Sequence, residues 1–427
     1  VNVGVGYAIS INQIKNFLGD LKAGRIVDHA TLGAQVSTSD DGHVLVSDIL
    51  EHSDAYRRGL RYDDEIVSFA GKPVHSVNSL KNLLGIFPKG WRVAITFRRD
   101  GKNADTYVRL MGVHTEAELL AKMDAEKEMQ PPGPKQPHER RPGQQPGGQP
   151  KPNEEPKHGS EPKLPPNPSA ELDKAVRAPV PEELKKEFEA RTGYANFYFN
   201  RENTQRVWKA LNAAGDFAKA TRKWTITGQQ IAAAPAFGSP PAVVQPTPGP
   251  ISIQLGDAEC DMDSPLAPTP FKISVTEGID AGANAAVLNP PGSGGLLATL
   301  HLWRKLLVAG PGKYGQVTYE GMAPVPGHNG LCDVLLAVGE GVETRFYCDP
   351  TSGTLLSVEM YPDDDSDPCE VYFSDYRPER DGMLPHRMEV HCGDTLFGVF
   401  VLTGYDLPAV KNTATESNSE KSTEATP

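Results

Sequence analysis

The residue types that could perform nucleophilic catalysis are present, but their spacing does not suit it. A catalytic serine needs a base and an orienting acid within reach. No serine in the 427 residues stands in a G-x-S-G or G-x-S-x-G sequence. The sequence therefore predicts no catalytic residue within this chain.

The metal-ligating residue types are also poorly spaced. Five cysteines lie in the second half, with no C-x-x-C pair and no histidine at zinc spacing: Cys260, Cys332, Cys348, Cys369 and Cys392. Four of them could form two disulfides in an oxidising compartment, and the pairing stays open. His386 and His391, five apart on a predicted strand, point to opposite faces.

An acidic run could offer oxygen ligands to Ca²⁺: Asp363, Asp364, Asp365 and Asp367. It lacks the glycine and the distal glutamate of an EF-hand loop, so a solvated hairpin tip is favoured. Gly292 to Gly295 precede a predicted helix but lack the G-K-[ST] ending of a phosphate-binding loop. The sequence predicts neither a metal nor a cofactor.

The first residues carry a family motif. Gly6-Tyr7-Ala8-Ile9-Ser10-Ile11-Asn12 resembles the last strand and helix of a trypsin-like protease of the HtrA/Deg type, G-[FY]-A-I-P-x-N, with Ser10 in place of proline. Residues 1–27 are interpreted as the trailing strand (residues 3–9) and helix of such a domain. The resemblance implies a serine endopeptidase whose catalytic triad lies upstream, because the chain opens on Val1 and contains no triad.

The resemblance continues into a PDZ domain, taken as residues 28–115. Ser53 to Ile66 resembles S-P-A-x-x-A-G-L-x-x-G-D-x-I, with Asp54 in place of proline and Asp63 in place of glycine. Gly71-Lys72-Pro73-Val74 matches the N-G-x-x-V turn. Asp100-Gly101 predicts a hairpin between strand Trp91–Arg98 and a return strand.

A PDZ domain adds a peptide to an exposed strand edge, while a facing helix supplies side-chain pockets. Ala30 to Val36 occupies the place of the carboxylate-binding loop and edge strand, and Gly33 permits close backbone approach. The facing helix is predicted at Val77–Ile86. The resemblance implies an apolar peptide C-terminus as ligand, bound by Leu32, Gly33, Ala34, Gln35, Val36, Leu80 and Leu84. Leu80 and Leu84 could equally be core residues.

Proline content marks a linker. Proline makes up 38 of 427 residues, about 9% against a usual ~5%, and 13 of these prolines fall between Pro131 and Pro168. Residues 116–168 are predicted to be a charged helix followed by a disordered, extended segment that keeps the flanking domains apart. Residues 410–427 are predicted to be a disordered tail.

Residues 169–409 are predicted to form an acidic β-rich domain. Residues 169–427 carry 21 basic and 34 acidic side chains, which disfavours nucleic acid as a partner. Ten strands are predicted beyond Trp224, with Asp349-Pro350 among the turns and one helix at Leu296–Val308. The strand series and Leu384-Pro385-His386-Arg387 resemble lipoprotein-carrier (LolA/LppX-like) half-barrels, which implies a lipid-sized cavity.

The predicted fold is therefore multidomain: a small α+β PDZ domain, a proline-rich linker, and an α+β domain dominated by an antiparallel sheet. The predicted function is the peptide-binding, regulatory portion of an HtrA/Deg-like endopeptidase in the periplasm or outside the cell. Its partners would be unfolded or C-terminal peptides of protein substrates. A homo-oligomer through the missing protease domain is a further expectation. The alternative function is a lipid or lipoprotein carrier acting through the β-rich domain.

Overall fold

The computed structural model of the protein describes residues 11–115, 118, 119, 121, 182–231, 248–363 and 365–408. Three expectations lie outside these residues: the strand predicted at 3–9, the proline-rich segment, and the C-terminal tail. Of the predicted charged helix after Glu116, only residues 118, 119 and 121 are described, and they are helical.

The N-terminal region contains a sheet of antiparallel strands flanked by short helices. Its helices are α1 (Ile11–Lys22), α2 (Asp54–Arg57) and α3 (Val77–Leu84). Its strands are β1 (Ala30–Thr31), β2 (Ala34–Thr38), β3 (Val44–Ile49), β4 (Glu65–Phe69), β5 (Lys72–Pro73), β6 (Arg92–Arg99), β7 (Lys102–Arg109) and β8 (Met111–Gly112). The sheet order is β2-β3-β4-β6-β7, with β5 paired to β4, and β1 pairs with β8 separately.

Local sequence explains the turns of this region. Asp100 and Gly101 join β6 to β7 with φ of 50° and 75°, which are the left-handed values that primed hairpin turns require. Asp63, at the position where the PDZ pattern has glycine, has φ of 68°. Aspartate tolerates this conformation better than most residues because its short side chain can hydrogen-bond locally.

The C-terminal region is built on one antiparallel sheet of eleven strands among the described residues. The strands are β9 (Trp224–Ile231), β10 (Gly249–Leu255), β11 (Glu259–Asp263), β12 (Phe271–Ser274), β13 (Gln316–Pro324), β14 (Leu331–Gly339), β15 (Val342–Cys348), β16 (Leu355–Tyr361), β17 (Cys369–Glu379), β18 (Gly382–Cys392) and β19 (Thr395–Asp406). Their order is β12-β11-β10-β9-β19-β18-β17-β16-β15-β14-β13. Strands that are consecutive in sequence are therefore neighbours in the sheet, as in a meander, except that β9 pairs with β19 and that β12 and β13 lie at opposite edges.

In the described part of this region, three α-helices accompany the sheet: α4 (Phe197–Asn212), α5 (Leu296–Ala309) and α6 (Pro311–Tyr314). Short 3₁₀ helices lie at Glu182–Glu187, Phe217–Lys219 and Ala285–Leu288. Helix α5 is buried on all sides, including Trp303 and the charged Arg304, and it contacts strands from both halves of the sheet, β10 to β12 and β16 to β17. It therefore forms the centre of the main hydrophobic core.

The two regions pack against each other. The described residues of 11–115 and those from 189 onwards belong to one compact unit. The expectation that the linker keeps its flanking domains apart is therefore wrong. Proline content predicts the stiffness of a segment, but it says nothing about contacts between the domains at its two ends.

Helix α1 joins the two regions. It contacts β13 and α4 of the C-terminal region, and the closest approach is at Gly19, where an added Cβ would lie 2.3 Å from the backbone nitrogen of Met322. Its apolar residues Ile14 and Leu18 are 42% and 40% exposed, whereas Gly19 is buried, so the helix docks through a small residue rather than through these two apolar side chains.

All five cysteines are free thiols in the structure. Cys369 on β17 lies directly opposite Cys392 on β18. No helix in the described ranges is long and apolar enough to cross a membrane.

Candidate functional site

The loop between β1 and β2 is shaped by Gly33. Its φ is 71°, and an added Cβ would lie 2.6 Å from the Cβ of Ser53 and 2.9 Å from the sulfur of Met111. Its carbonyl accepts a hydrogen bond from the N–H of Leu50 at 2.8 Å, and its N–H donates to Oγ1 of Thr31 at 3.2 Å. Only glycine fits this position without displacing a neighbour.

Strand β2 leaves this loop along the edge of the N-terminal sheet. It pairs with β3 on one side only, so within the described ranges its outer edge presents unpaired backbone groups. Ala34 and Val36 are half-buried and pack against the hydrophobic core, whereas Gln35 is exposed. The strand therefore has one side-chain face toward α3 and one toward solvent, as strand addition requires.

Helix α3 lies beside β2. Ser76 begins it with a reciprocal capping box with Ser79. The predicted pocket residues differ in exposure: Leu80 is 1% exposed within the core, as Leu32 is at 2%, and Leu84 is half-buried against that core. Leu84 is therefore the more accessible of the two α3 residues, and Leu80 is a core residue.

The C-terminal end of α3 is held by α1, which the sequence assigned to a different domain. The side-chain amide of Gln13 donates to the carbonyl of Gly85 at 2.9 Å, and that of Asn16 donates to the carbonyl of Ile86 at 3.0 Å. These contacts satisfy carbonyls that a helix leaves unpaired at its end. No sequence signal announces them, because the partners are about 70 residues apart.

Asp28 fixes the strand pair that frames the Gly33 loop. Its carboxylate accepts from the N–H of His114 at 2.7 Å, from that of His29 at 2.9 Å, and from the His114 ring at 2.9 Å. Burial opposes ionisation, but these hydrogen bonds lower the pKa of Asp28 below its usual value. The β1–β8 pair, which carries Met111 against Gly33, is thereby anchored.

Four arginines of the N-terminal region form ion pairs with four carboxylates of the C-terminal region. We call this set the arginine–carboxylate interface: Arg57, Arg58, Arg92, Arg109, Glu359, Asp367, Glu370 and Asp394. Arg109 lies 2.8 Å from Glu359, and Arg92 lies 2.9 Å from both Glu370 and Asp394. Arg58 lies 2.5 Å from Asp367.

Within this interface, Glu359 and Glu370 are both deeply buried, but their pKa values are shifted in opposite directions. Burial opposes ionisation of Glu359, but Arg109 and Arg345 lower its pKa. Burial raises the pKa of Glu370, and the neighbouring Glu359 adds to this effect. Tyr347 donates to Glu359 at 2.7 Å. The interface thus contains a charged, hydrogen-bonded carboxylate beside one that protonates more easily.

Only part of the acidic run from Asp363 to Asp367 is the solvated hairpin tip that the sequence predicts. Asp363 caps its own turn by accepting from the N–H groups of Asp365 and Ser366, and both aspartates are exposed. Asp367 instead binds the N-terminal region, and Asp364 lies outside the described residues. Across the described part of the chain, no three histidine, cysteine or acidic side chains converge as a metal site would need.

Comparison with known proteins identifies the N-terminal region. The PDZ domain family matches residues 30–110. The chain is 29% identical over 120 residues to the periplasmic serine endoprotease DegP of Escherichia coli K12, covering 26% of this chain and 25% of that protein. It is 29% identical over 125 residues to a probable DegP-like protease of Chlamydia trachomatis, covering 27% and 25%. The chain thus spans about a quarter of the length of these relatives.

Some solved structures resemble part of this chain, with low TM-scores and low sequence identity. The PDZ domain of HtrA3 bound to a phage-derived ligand matches with 16% identity and a TM-score of 0.17, over 20% of this chain and 86% of that one. A serine endoprotease from Yersinia pestis matches with 16% identity and a TM-score of 0.19, over 21% and 30%.

Proposed function

We propose that the PDZ domain binds an extended peptide with a free apolar C-terminus by strand addition to β2. The observation that carries this proposal is the outer edge of β2, which pairs with no other described strand and begins directly after the left-handed Gly33. A peptide paired there would place its terminal carboxylate near the loop of Leu32 to Ala34 and its side chains toward Val36 and Leu84. Main-chain hydrogen bonds would supply affinity, and the α3 face would supply specificity.

We further propose that this chain is the regulatory portion of an HtrA/Deg-like serine endopeptidase in the periplasm or outside the cell. The similarity to DegP supports this role, and the DegP relatives are named periplasmic. Assembly into an oligomer through an upstream protease domain belongs to the same proposal. Sequencing the coding region upstream of Val1 tests it: a His, Asp and G-N-S-G-G series is expected, and an upstream domain without them would contradict it.

Peptide binding is tested by titration of the full chain with peptides that end in apolar residues. We expect saturable binding to the free carboxylate form and at least about a tenfold weaker binding to the same peptide with an amidated C-terminus, because the amide removes the charge. Gly33→Asp should abolish binding, since the added side chain meets Ser53 and Met111 and its carboxylate repels the ligand.

Gly71→Asp is the matched control. Gly71 has nearly the same φ, 69°, and an added Cβ there meets nothing within 4 Å. It therefore carries the same backbone strain and the same new charge, away from the proposed groove. Equal affinities of Gly33→Asp, Gly71→Asp and the unmodified protein would contradict the proposed site.

A second candidate function is lipid binding by the β-rich region, as in a half-barrel carrier. It is favoured by an open cavity of about 210 Å³ whose wall is mainly apolar and includes no charged residue. Leu211, Phe217, Trp303, Leu355 and Leu384 are among its lining residues. The volume is below the ~300–1,000 Å³ of drug-sized ligand sites, so at most a short alkyl segment would fit.

Native mass spectrometry of the full chain, purified without detergent, tests this second function. A co-purified lipid that is lost in Ala214→Phe, which narrows the cavity, would support it. Ala218→Phe is the control because Ala218 is exposed and outside the cavity lining. The absence of lipid from the unmodified protein, or its equal retention in both variants, would argue against it.

A further inference from the structure

Helix α2 connects the Gly33 loop to the C-terminal region. At its start, Ser53 caps the helix by accepting from the N–H of Tyr56 at 3.1 Å, and the same Ser53 packs against Gly33 so closely that no Cβ would fit between them. Leu50, three residues earlier, holds the Gly33 carbonyl. The position of the loop therefore depends directly on the position of the start of α2.

The other end of α2 is held by carboxylates of the C-terminal region. Arg58 donates to Asp367 at 2.5 and 3.1 Å and lies 3.5 Å from Asp394. Arg57 donates to Asp367 at 3.2 Å. The side chain of Arg58 is only 8% exposed, so this contact is weakly screened by salt. We call these four residues the α2 clamp.

The clamp is closely fitted. An added Cβ on Gly393 would lie 2.3 Å from Oδ2 of Asp367 and 2.6 Å from Nη1 of Arg58. Within α2, Asp54 also accepts from Arg58 at 3.0 Å and from the N–H of Arg109 at 2.6 Å. Arg58 is therefore surrounded by three carboxylates, and α2 is tied both to β7 and to the C-terminal region.

We propose that the α2 clamp positions the Gly33 loop for peptide binding, so that the β-rich region controls the affinity of the PDZ groove. This inference rests on the proposed peptide-binding function and concerns the regulation of that site. Asp367 and Asp394 act as positioning residues: they touch α2, not the peptide. A loop that is held in its binding conformation before the ligand arrives loses less entropy on binding.

The coupling is reciprocal. If the clamp strengthens peptide binding, peptide binding must strengthen the clamp by the same factor. Peptide should therefore slow backbone hydrogen exchange around residues 365–367 and 393–394, which lie outside the groove. A purely structural role of Asp367 would not produce this response to peptide.

The test compares Asp367→Asn, Asp394→Asn and the double variant with the unmodified full chain. Asparagine keeps the shape and removes the charge that holds Arg58. We expect the double variant to bind peptide at least about fivefold more weakly, mainly through faster dissociation, because the loop relaxes more easily once Arg58 is released. Arg57→Gln, at a more exposed member of the clamp, should give a smaller loss with little effect on folding.

Asp381→Asn is the matched control. Asp381 pairs with the exposed Arg380 at 3.2 Å in the turn between β17 and β18. The variant therefore loses an ion pair that belongs to the C-terminal region but not to the clamp. Its peptide affinity should equal that of the unmodified protein. Circular dichroism and thermal unfolding would verify that each variant is folded.

The outcomes separate the two proposals. If the unmodified protein binds no peptide, the proposed function fails. If the unmodified protein binds peptide, and both the Asp367→Asn/Asp394→Asn double variant and Arg57→Gln bind it equally well, the inference about the clamp fails while the proposed function stands. Weaker binding in the clamp variants, together with peptide-dependent exchange at residues 365–367 in the unmodified protein, would establish the coupling.

Discussion

Asp20 of α1 is a carboxyl group in an unusual environment. Burial, together with the nearby Glu320, raises its pKa to about 7, and Arg25 only partly opposes this effect. Its Oδ2 atom is buried and has no hydrogen-bond partner. Asp20 is therefore protonated at mildly acidic pH in the folded protein, while in the unfolded chain it ionises near pH 4.

The sign of the resulting pH dependence follows from linkage. Between about pH 4 and pH 7 the folded state binds the Asp20 proton and the unfolded state does not, so this residue makes the protein less stable as pH rises through that window. Three pKa units correspond to about 4 kcal/mol at most. We expect Asp20→Asn to increase the free energy of unfolding at pH 8 and to change it little near pH 4.

Urea unfolding at both pH values measures this effect. The difference between variant and unmodified protein isolates the effect of Asp20 from that of other titrating groups. One such group is His301: burial lowers its pKa, but hydrogen bonds with Cys260 and Glu340 raise the pKa to about 9. An Asp20→Asn variant that is equally or less stable than the parent at pH 8 would refute the assignment.

At the scale of elements, helix α1 docks through a glycine. Because an added Cβ at Gly19 would lie 2.3 Å from the nitrogen of Met322, Gly19→Ala must push α1 away from β13. Overpacking of this kind costs about 1–3 kcal/mol. We expect a corresponding fall in the free energy of unfolding and weaker capping of α3 by Gln13 and Asn16.

Gly85→Ala is the comparison. Gly85 ends α3 with φ of −63°, and the nearest atom to an added Cβ is 3.5 Å away. Alanine there should be neutral or slightly stabilising, because it reduces the entropy of the unfolded chain. Chemical denaturation of both variants decides: a similar effect of the two substitutions would show that Gly19 is not a contact residue.

Local pattern predicted most of the strands. The strand predicted at Trp91–Arg98 differs from β6 (Arg92–Arg99) by one residue at each end, because alternation and the turn residues after it mark its position. Strand β11 was missed since three of its five residues are acidic, although Cys260 and Met262 alternate inward. Helix α4 begins at Phe197, where the side chain of Asn196 caps it.

The candidate site, too, could be predicted only in part from the sequence. The Gly33 loop and the α3 face follow from motif order, because the residues that define them are neighbours in sequence. The contacts of Ser53 with Gly33, of Gln13 with Gly85, and of Arg58 with Asp367 could not be predicted. They join segments up to about 310 residues apart, and no local preference reports such a pairing.

At the scale of the molecule, the PDZ domain and the β-rich region form one unit through two kinds of contact. The first is the arginine–carboxylate interface. The second is uncharged: the indole N–H of Trp91 donates to the carbonyl of Met322 at 3.0 Å, and Ala323 and Leu331 pack against the PDZ core. A covalent connection through residues 116–188 is then not needed to hold the two regions together.

This predicts that the two regions remain associated after the chain is cut between them. A recognition sequence for a site-specific protease inserted after Pro150, in the segment that the sequence predicts as a linker, allows the cut. We expect both fragments to co-elute in size-exclusion chromatography at physiological salt. Partial separation is expected at about 1 M salt, where the Debye length falls to ~3 Å and the more exposed ion pairs are screened.

Charge reversal provides the control for this experiment. Arg92→Glu together with Arg109→Glu places two new carboxylates against Glu359, Glu370 and Asp394, and like charges at such a buried contact cost several kcal/mol. The cut variant should separate into its fragments at physiological salt. If the unmodified fragments also separate there at micromolar concentration, the contacts are too weak to act without the linker, and the two regions function as tethered but independent domains.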